Sequence, residues 1–207
     1  MTEKPIGLRE RKKSRRRQEI LLVARELFDQ EGYAATTVDA IAEKAGISGV
    51  TVYNYFGSKS GVLLALVIES EAQLFEEIER RLDESPDDMV EIVVHFARAL
   101  RHRAVSELDR VLWRQVFASS LLDGDTCFAS AYRDLLRQLS SALGRRLERA
   151  RRAGVLDAEV DTDALGTAFF NVQLVIFALF VTDESLEEAE VESELRRLVL
   201  ALAKASR

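Results

Sequence analysis

Residues 45–59, which read AGISGVTVYNYFGSK, place hydrogen-bonding side chains where a short helix would meet solvent. With about 100° between successive residues, Val52 and Phe56 lie on one side of such a helix, with a tyrosine on each flank. Val50 and Asn54 then point to the opposite side. Small and polar groups bordered by phenol hydroxyls are poorly suited to a core, so we predict that this face contacts a second molecule.

Side chains that could perform covalent or metal chemistry are few. The two histidines, His95 and His102, lie two helical turns apart, and Glu91 comes one turn before the first. That spacing is too long for a simple pair of metal ligands, and no third ligand is evident. Cys127 has no apparent orienting partner for nucleophilic catalysis, and the glycines do not cluster into a phosphate-binding loop. The sequence therefore predicts neither an enzyme nor a bound metal or cofactor.

The helices that would position the polar face of residues 45–59 follow a helix-turn-helix pattern. Apolar spacing predicts one helix that ends at Gly32, a second that ends at Gly46 and a third that Ser48 caps. Their small core would consist of Ile41, Ala42, Ile47, Val52 and Phe56. Such a motif inserts its last helix into the major groove of DNA. The alternative is a helical hairpin whose tyrosines only cover the core.

The side chains of this motif match the groups that DNA exposes. Val50 is suited to a thymine methyl group, and Asn54 is suited to a bidentate pair with adenine. The hydroxyl and amine groups suited to phosphate oxygens belong to Thr37, Thr51, Tyr53, Tyr55 and Lys59.

The net charge of −6 conceals an uneven distribution. Residues 1–17 contain eight basic and two acidic side chains, a net charge of +6, so the remaining residues carry −12. We interpret residues 1–17 as a basic N-terminal arm that orders only on contact with DNA, where Arg15, Arg16 and Arg17 reach an adjacent minor groove. A solvated tail without a partner is the alternative.

Composition favours a cytoplasmic, helical, globular protein. Of the 207 residues, 47% are hydrophobic and only 2 are proline. The single cysteine excludes an internal disulfide, and no apolar signal segment follows the basic start. Residues 164–181 lack charge, but Asn171 and Gln173 in their middle favour a buried helix over a membrane span.

Helical signals continue to the C terminus, which predicts an all-α fold. The expected helices lie at about 58–82, 86–102, 105–121, 125–153, 162–182 and 186–205. Ser85 is expected to cap the second of these. The last helix carries an apolar stripe and the helix before it is apolar on every face, so both need covering surfaces.

Residues 20–64 combine a specific set of residue types and spacings. The set is Thr36-Thr37, Ile41-Ala42, Ala45-Gly46-Ile47-Ser48, Thr51-Val52-Tyr53, Tyr55-Phe56 and Ser58-Lys59. It resembles the DNA-binding domain of TetR-family transcriptional regulators. The resemblance implies that Gly49, Val50 and Asn54 lie near bases, and Ser48 joins the DNA-binding set. Val50 departs from the pattern, since glycine is common there, and we expect this change to alter base preference.

The resemblance also implies a domain organisation and partners. It divides the chain into a basic arm (1–17), a helix-turn-helix DNA-binding domain (18–59) and a helical ligand-binding and dimerisation domain (60–207). The last two helices would join two copies into a homodimer that binds a palindromic operator. A small-molecule effector would release this repressor from double-stranded DNA.

The middle helices carry the candidates for an effector pocket, which we expect to hold an apolar or amphipathic molecule. The candidates are His95, Phe96, Trp113, Phe117, Phe128, Tyr132, Phe170, Asn171, Gln173 and Phe177. The alternative function is a DNA-bound interaction factor whose acidic helical body binds another protein without a small-molecule effector. Exposed apolar patches and the lack of a cavity would favour that alternative.

Overall fold

The computed structural model describes residues 7–69, 71–122 and 127–205, and within these ranges the chain forms ten helices and no strands. The helices are α1 (Leu8–Glu31), α2 (Val38–Lys44), α3 (Gly49–Phe56), α4 (Lys59–Glu69), α5 (Glu71–Asp83), α6 (Met89–Glu107), α7 (Arg110–Leu122), α8 (Cys127–Arg152), α9 (Thr162–Thr182) and α10 (Glu188–Ala205). The predicted all-α fold class is confirmed.

Helices α1, α2 and α3 pack around a small apolar core. Its buried members include Ile20, Ala24, Phe28, Ile41, Val52 and Phe56. Thr37 caps α2 by accepting a hydrogen bond from the Ala40 amide, and Ser48 caps α3 by accepting one from the Thr51 amide. Gly46 lies between them with a φ of 65°, a left-handed conformation that glycine adopts readily. These local signals fix the angle between α2 and α3.

The start of α1 differs from the prediction. The helix begins at Leu8, so residues 8–17 are helical and continuous with the DNA-binding motif. Arginine and lysine are good helix formers, and Arg15 and Arg16 lie 3.3 and 3.0 Å from the Glu19 carboxylate on the next turn. The predicted disordered arm is therefore wrong for these residues, while residues 1–6 lie outside the described ranges.

Helix α4 follows α3 with almost no free space between their backbones. A Cβ atom at Gly61 would lie 1.9 Å from the carbonyl oxygen of Phe56, so only glycine permits this approach. The helix predicted over 58–82 is described as α4 and α5, with Ser70 between them outside the described residues. Because of the close approach at Gly61, the end of α3 and the start of α4 are in direct backbone contact.

The start of α6 also differs from the prediction. Asp88 is the N-cap, and its carboxylate accepts hydrogen bonds from the amides of Val90 at 2.9 Å and Glu91 at 3.0 Å. Ser85, the predicted cap, is buried and donates its hydroxyl hydrogen to the Leu82 carbonyl at the end of α5. The carboxylate is closer to the first free amides of α6, so it caps the helix instead.

Helices α8 and α9 cross at two glycines. A Cβ atom at Gly166 would lie 2.7 Å from backbone atoms of Gly144. Helix α9 is the one helix in the described ranges that is long and apolar enough to cross a membrane. Within the chain it packs against α7, α8 and α10, but Val175 and Leu179 on its outer side are exposed, so the predicted buried helix is covered on part of its surface only.

The glycine crossing predicts a stability effect. Gly166→Ala is expected to lower the free energy of unfolding by about 1–3 kcal/mol, because the new methyl group forces α8 and α9 apart. The urea midpoint measures this change. Ser141→Ala on the exposed side of α8 is the control and should remain within about 0.5 kcal/mol of wild type. Equal midpoints for Gly166→Ala and wild type would show that the crossing tolerates a side chain.

Candidate nucleic-acid interface and ligand cavity

The outer face of α3 carries the polar residues that the sequence placed there. Val50 and Tyr53 are 68% and 53% exposed, and Asn54 is also exposed. The hydroxyls of Ser48 and Thr51 lie 2.9 Å apart at the start of the helix. This face combines one amide, three hydroxyls and one small apolar group, which suits the edges and backbone of a DNA groove.

The junction of α2 and α3 leaves two further predicted residues at the surface. Thr37 is exposed, and its hydroxyl accepts from the Ala40 amide, so its O–H group remains available to donate to an acceptor. A Cβ atom at Gly49 would lie 2.5 Å from the Asp39 carboxylate, so glycine permits close packing of α2 against α3.

Helices α1 and α3 together line an open basic groove. The lining residues are Arg9, Lys12, Lys13, Arg15, Arg16, Glu19, Thr51, Asn54 and Tyr55. Five basic side chains and one acidic side chain give it a net positive charge, which attracts a polyanion. Arg15 and Arg16 of this groove were predicted from the sequence, whereas Arg9, Lys12 and Lys13 were not. Their spacing places them on one face of a helix, which is a signal only when residues 8–17 are helical.

Arg17 occupies a different position from its two neighbours. Its guanidinium pairs with the Glu69 carboxylate at the end of α4 and lies 5.6 Å from the centre of the Phe56 ring. It does not line the basic groove. The prediction that Arg17 extends with a mobile arm is therefore corrected: this residue connects α1 to α4.

Lys59 likewise contacts protein atoms where a phosphate contact was predicted. Its ammonium donates to the carbonyl oxygens of Tyr33 at 2.7 Å, Thr36 at 2.9 Å and Ala34 at 3.4 Å. It also lies 4.3 Å from the centre of the Tyr33 ring, and burial lowers the pKa of Lys59. All three N–H groups are engaged, so Lys59 ties the start of α4 to the loop before α2.

A largely apolar cavity of about 80 Å³ lies among α4 to α9. It is lined by Leu66, Val67, Leu74, Leu100, Arg101, Arg103, Ala104, Glu107, Leu108, Trp113, Tyr132, Leu135, Leu136, Leu139, Phe170, Gln173, Leu174 and Phe177. Five of these were predicted: Trp113, Tyr132, Phe170, Gln173 and Phe177. The indole of Trp113 donates to the Ala104 carbonyl at 2.8 Å. Burial raises the pKa of the Tyr132 phenol, which keeps it neutral.

Four of the other pocket candidates, all of them within the described residues, do not line this cavity. They are His95, Phe96, Phe117 and Asn171. Asn171 is exposed on the outer side of α9, and the ring of His95 contacts the carbonyl oxygen of Glu91 at 2.8 Å. Phe96 is buried with its ring centre 6.2 Å from that of Phe170, and Phe117 packs against Phe177 at 5.9 Å. The side chain of Phe128 lies outside the described part of the chain.

Three charged residues of α6 line the cavity and were missed by the sequence analysis. They are Arg101, Arg103 and Glu107. The Glu107 carboxylate accepts from Arg103 at 2.8 Å and from Arg25 of α1 at 2.9 Å. Burial lowers the pKa of Arg101. These three residues lie on neighbouring turns near the end of α6. Charged residues near a helix end are usually solvated, so the sequence alone does not show that these three line a cavity.

Two comparisons with known proteins decide the family. The pattern described as "Bacterial regulatory proteins, tetR family" matches residues 20–66, which include α2, α3 and most of α4. The HTH-type transcriptional repressor AcnR of Corynebacterium diphtheriae is 30% identical over 155 residues, which cover 74% of this chain and 75% of AcnR. This chain belongs to the TetR family.

Other TetR-family proteins extend the similarity. The HTH-type transcriptional activator FasR of Mycolicibacterium smegmatis is 28% identical over 157 residues, which cover 72% of this chain and 70% of FasR. A second similar protein is the transcriptional repressor FadR of Thermus thermophilus, whose crystal structure contains lauroyl-CoA. FadR is 28% identical to this chain, and the two structures align with a TM-score of 0.72 over 89% of this chain and 93% of FadR. The protein is therefore a TetR-family transcriptional regulator, and the prediction that it is not an enzyme is confirmed by these relatives.

The region around His95 in this TetR-family chain connects α6 to α10. Glu91 pairs with Arg196 of α10, and the hydrogen bond from that arginine lowers the pKa of Glu91. Among the residues that the structure describes, no group of three or more histidine, cysteine, aspartate or glutamate side chains is placed to hold a metal. The side chain of Cys127 is outside those residues.

Proposed function

We propose that this TetR-family regulator is a repressor that leaves its operator when a small apolar or amphipathic effector enters the cavity. The observation that carries the proposal is the position of the cavity beside α4. Leu66 and Val67 of α4 line it, while the opposite end of α4 packs against Phe56 of α3. An effector that displaces Leu66 therefore moves the helix on which α3 is seated.

The chemistry of the lining supports an acyl or similar chain as the apolar part of the effector. Leucine and aromatic side chains dominate the wall, with Tyr132 and Gln173 as neutral polar groups. FadR of Thermus thermophilus, at 28% identity, is known in complex with lauroyl-CoA, and AcnR is a repressor. We infer the same class of ligand for this chain, without a specific identity.

The size of the cavity supports a mechanism of release. The cavity of about 80 Å³ is small for a long acyl chain, so we expect the surrounding helices to separate when such a chain binds. An effector that binds the expanded state better than the compact state shifts the population toward the expanded state. If the compact state holds α3 correctly for DNA, this shift lowers operator affinity.

For the DNA contacts we propose two groups of residues. Gly49, Val50 and Asn54 lie against bases in the major groove, and Val50 contacts a thymine methyl group. Phosphate contacts come from the hydroxyls of α2 and α3 and from the basic side of α1. These residues are Thr37, Ser48, Thr51, Tyr53, Tyr55, Arg9, Lys12, Lys13, Arg15 and Arg16.

We also propose that the protein acts as a cytoplasmic homodimer on a palindromic operator. On α9, Ala164, Ala168, Asn171, Val175 and Leu179 are exposed and recur on one side of the helix. That stripe suits a second copy of the same helix, together with α10, in a four-helix interface. We propose that residues 18–59 form the DNA-binding domain and residues 60–207 form the ligand-binding and dimerisation domain. Helix α4 begins at the boundary and contacts both domains.

Trp113 provides the test of the effector proposal because it is the only tryptophan in the chain and lines the cavity. Alkyl alcohols and carboxylates of increasing length are expected to change its emission and to release operator DNA over the same concentration range. Operator DNA is first obtained by selection of genomic fragments with the purified protein.

Two substitutions separate cavity binding from nonspecific effects. Ala104→Leu fills the cavity and should abolish both the fluorescence change and the release, while operator binding persists. Ala118→Leu, at an exposed position of α7 outside the cavity, should respond like wild type. No response of wild type to any chain length would contradict the effector proposal and favour a DNA-bound interaction factor. DNA binding that rises with the ligand would contradict the release step.

A further inference from the structure

One wall of the apolar cavity carries an ionic cluster on a single helix. Arg101, Arg103 and Glu107 of α6 all line the space. Glu107 is shared: one carboxylate oxygen accepts from Arg103 at 2.8 Å, and the other accepts from Arg25 of α1 at 2.9 Å. The cavity wall is thus joined by one carboxylate to the first helix of the DNA-binding motif.

The cluster has an excess of positive charge. It contains two arginines and one glutamate, and Arg101 is only 4% exposed. Within the described ranges, Arg101 makes no hydrogen bond or ion pair; its guanidinium lies 6.0 Å from the centre of the Phe180 ring, and the carboxylates of Glu188 and Glu192 act on it over a longer distance. A buried guanidinium without a bonded anion is costly, so a negatively charged group in this space would be stabilised.

A second ion pair connects α1 to α4, one turn beyond the residues of α4 that line the cavity. Arg17 of α1 pairs with Glu69 at the end of α4, and Leu66 and Val67 on the preceding turn line the cavity. Two ion pairs therefore connect α1 to the elements around the ligand space, through α4 and through α6. Of the two carboxylates, only Glu107 itself lines the cavity.

We propose that the effector is an anionic amphiphile whose charged group binds Arg101 and Arg103 and displaces Glu107 from Arg103 and Arg25. This inference rests on the proposed function, because it assumes that the cavity is the effector site. Two negatively charged groups that both approach Arg103 repel each other. Glu107 is partly exposed, so its carboxylate can turn into water when the effector binds. The displaced carboxylate no longer holds α1 against α6, which frees the DNA-binding motif to change its position.

The first experiment compares decanoate with decanol, which have the same chain length and differ in the charge of the head group. Binding is measured by the emission of Trp113. Wild type is expected to bind decanoate at least about tenfold more tightly than decanol. Arg103→Met and Arg101→Met should each lose most of that preference while decanol binding stays within about twofold. Arg98→Met is the matched control, because Arg98 is on the same helix, is exposed and pairs with Glu192 outside the cavity.

The second experiment separates binding from transmission to DNA. Glu107→Gln removes the competing negative charge and keeps the side-chain shape. It should therefore bind decanoate about threefold to tenfold more tightly, yet release operator less completely. Glu91→Gln, which disturbs a pair on the α6–α10 side, should leave both quantities near wild type.

The outcomes distinguish this inference from the proposed function. Equal binding of decanoate and decanol, each with operator release, would overturn the anionic-effector inference and leave the effector proposal intact. Normal release by Glu107→Gln would overturn the displacement step. If neither compound changes Trp113 emission or operator binding, both proposals fail. The wild-type comparison does not depend on any variant, so a misfolded arginine variant does not prevent a decision.

Discussion

A Val175→Glu, Leu179→Glu double variant is expected to be monomeric and to bind its operator about 10²- to 10⁴-fold more weakly than wild type. The two side chains are 61% and 56% exposed on the outer side of α9. In a four-helix interface they would be buried against a second copy, where two unpaired carboxylates are strongly disfavoured. A monomer contacts one half-site only and loses the avidity of the second. Light scattering after size exclusion, together with operator titration, measures both effects.

The control for this variant places the same charges on another apolar surface. Leu121 and Leu122 are each 82% exposed at the end of α7, away from the stripe on α9. The Leu121→Glu, Leu122→Glu variant should remain dimeric and bind operator normally. If it dissociates while the α9 variant stays dimeric, the subunits meet through α7, and the assignment of the interface to α9 is wrong.

Much of the fold followed from local chemistry. Gly32 and Gly46 were predicted as stop signals, and the structure places them just after α1 and α2 with φ values of 81° and 65°. Thr37 and Ser48 each begin a helix with a side-chain hydrogen bond to an amide three residues later. Such signals operate within one turn of chain, so they can be read without knowledge of the tertiary structure.

The errors arose where two local signals competed. Residues 8–17 have no apolar stripe, so their charge suggested a tail, although arginine and lysine also favour helix and α1 simply extends through them. Ser85 and Asp88 both precede α6 and both suit an N-cap. The choice between them depends on the packing of Ser85 against the end of α5, which the sequence does not reveal.

The cavity was predictable only in part for a different reason. Asn171 and Gln173 are two residues apart, about 200° around the helix, so one is exposed and the other lines the cavity. Which of the two faces inward depends on how α9 packs against α7 and α8. The basic groove, in contrast, uses residues of α3 whose outward direction follows from the buried Val52 and Phe56.

The basic side of α1 and the outer face of α3 are expected to contribute different components of DNA binding. Replacing Arg9, Lys12, Lys13 and Arg16 by glutamine should reduce the slope of log affinity against log salt by about 0.9 for each phosphate that is no longer neutralised. Operator and random DNA should be weakened similarly, because phosphates carry no sequence information. Glutamine retains good helix propensity, so circular dichroism should show α1 intact.

Asn54→Ala is the complementary change. It removes the amide proposed to pair with adenine, so operator binding should fall by about 1–3 kcal/mol per half-site, while the salt slope and the affinity for random DNA stay near wild type. Titrations of both variants on operator and random duplexes over a salt series separate the two effects. If the α1 variant lost specificity and Asn54→Ala lost only salt dependence, the roles would be reversed. In that case α1, and not α3, would lie in the groove that is read.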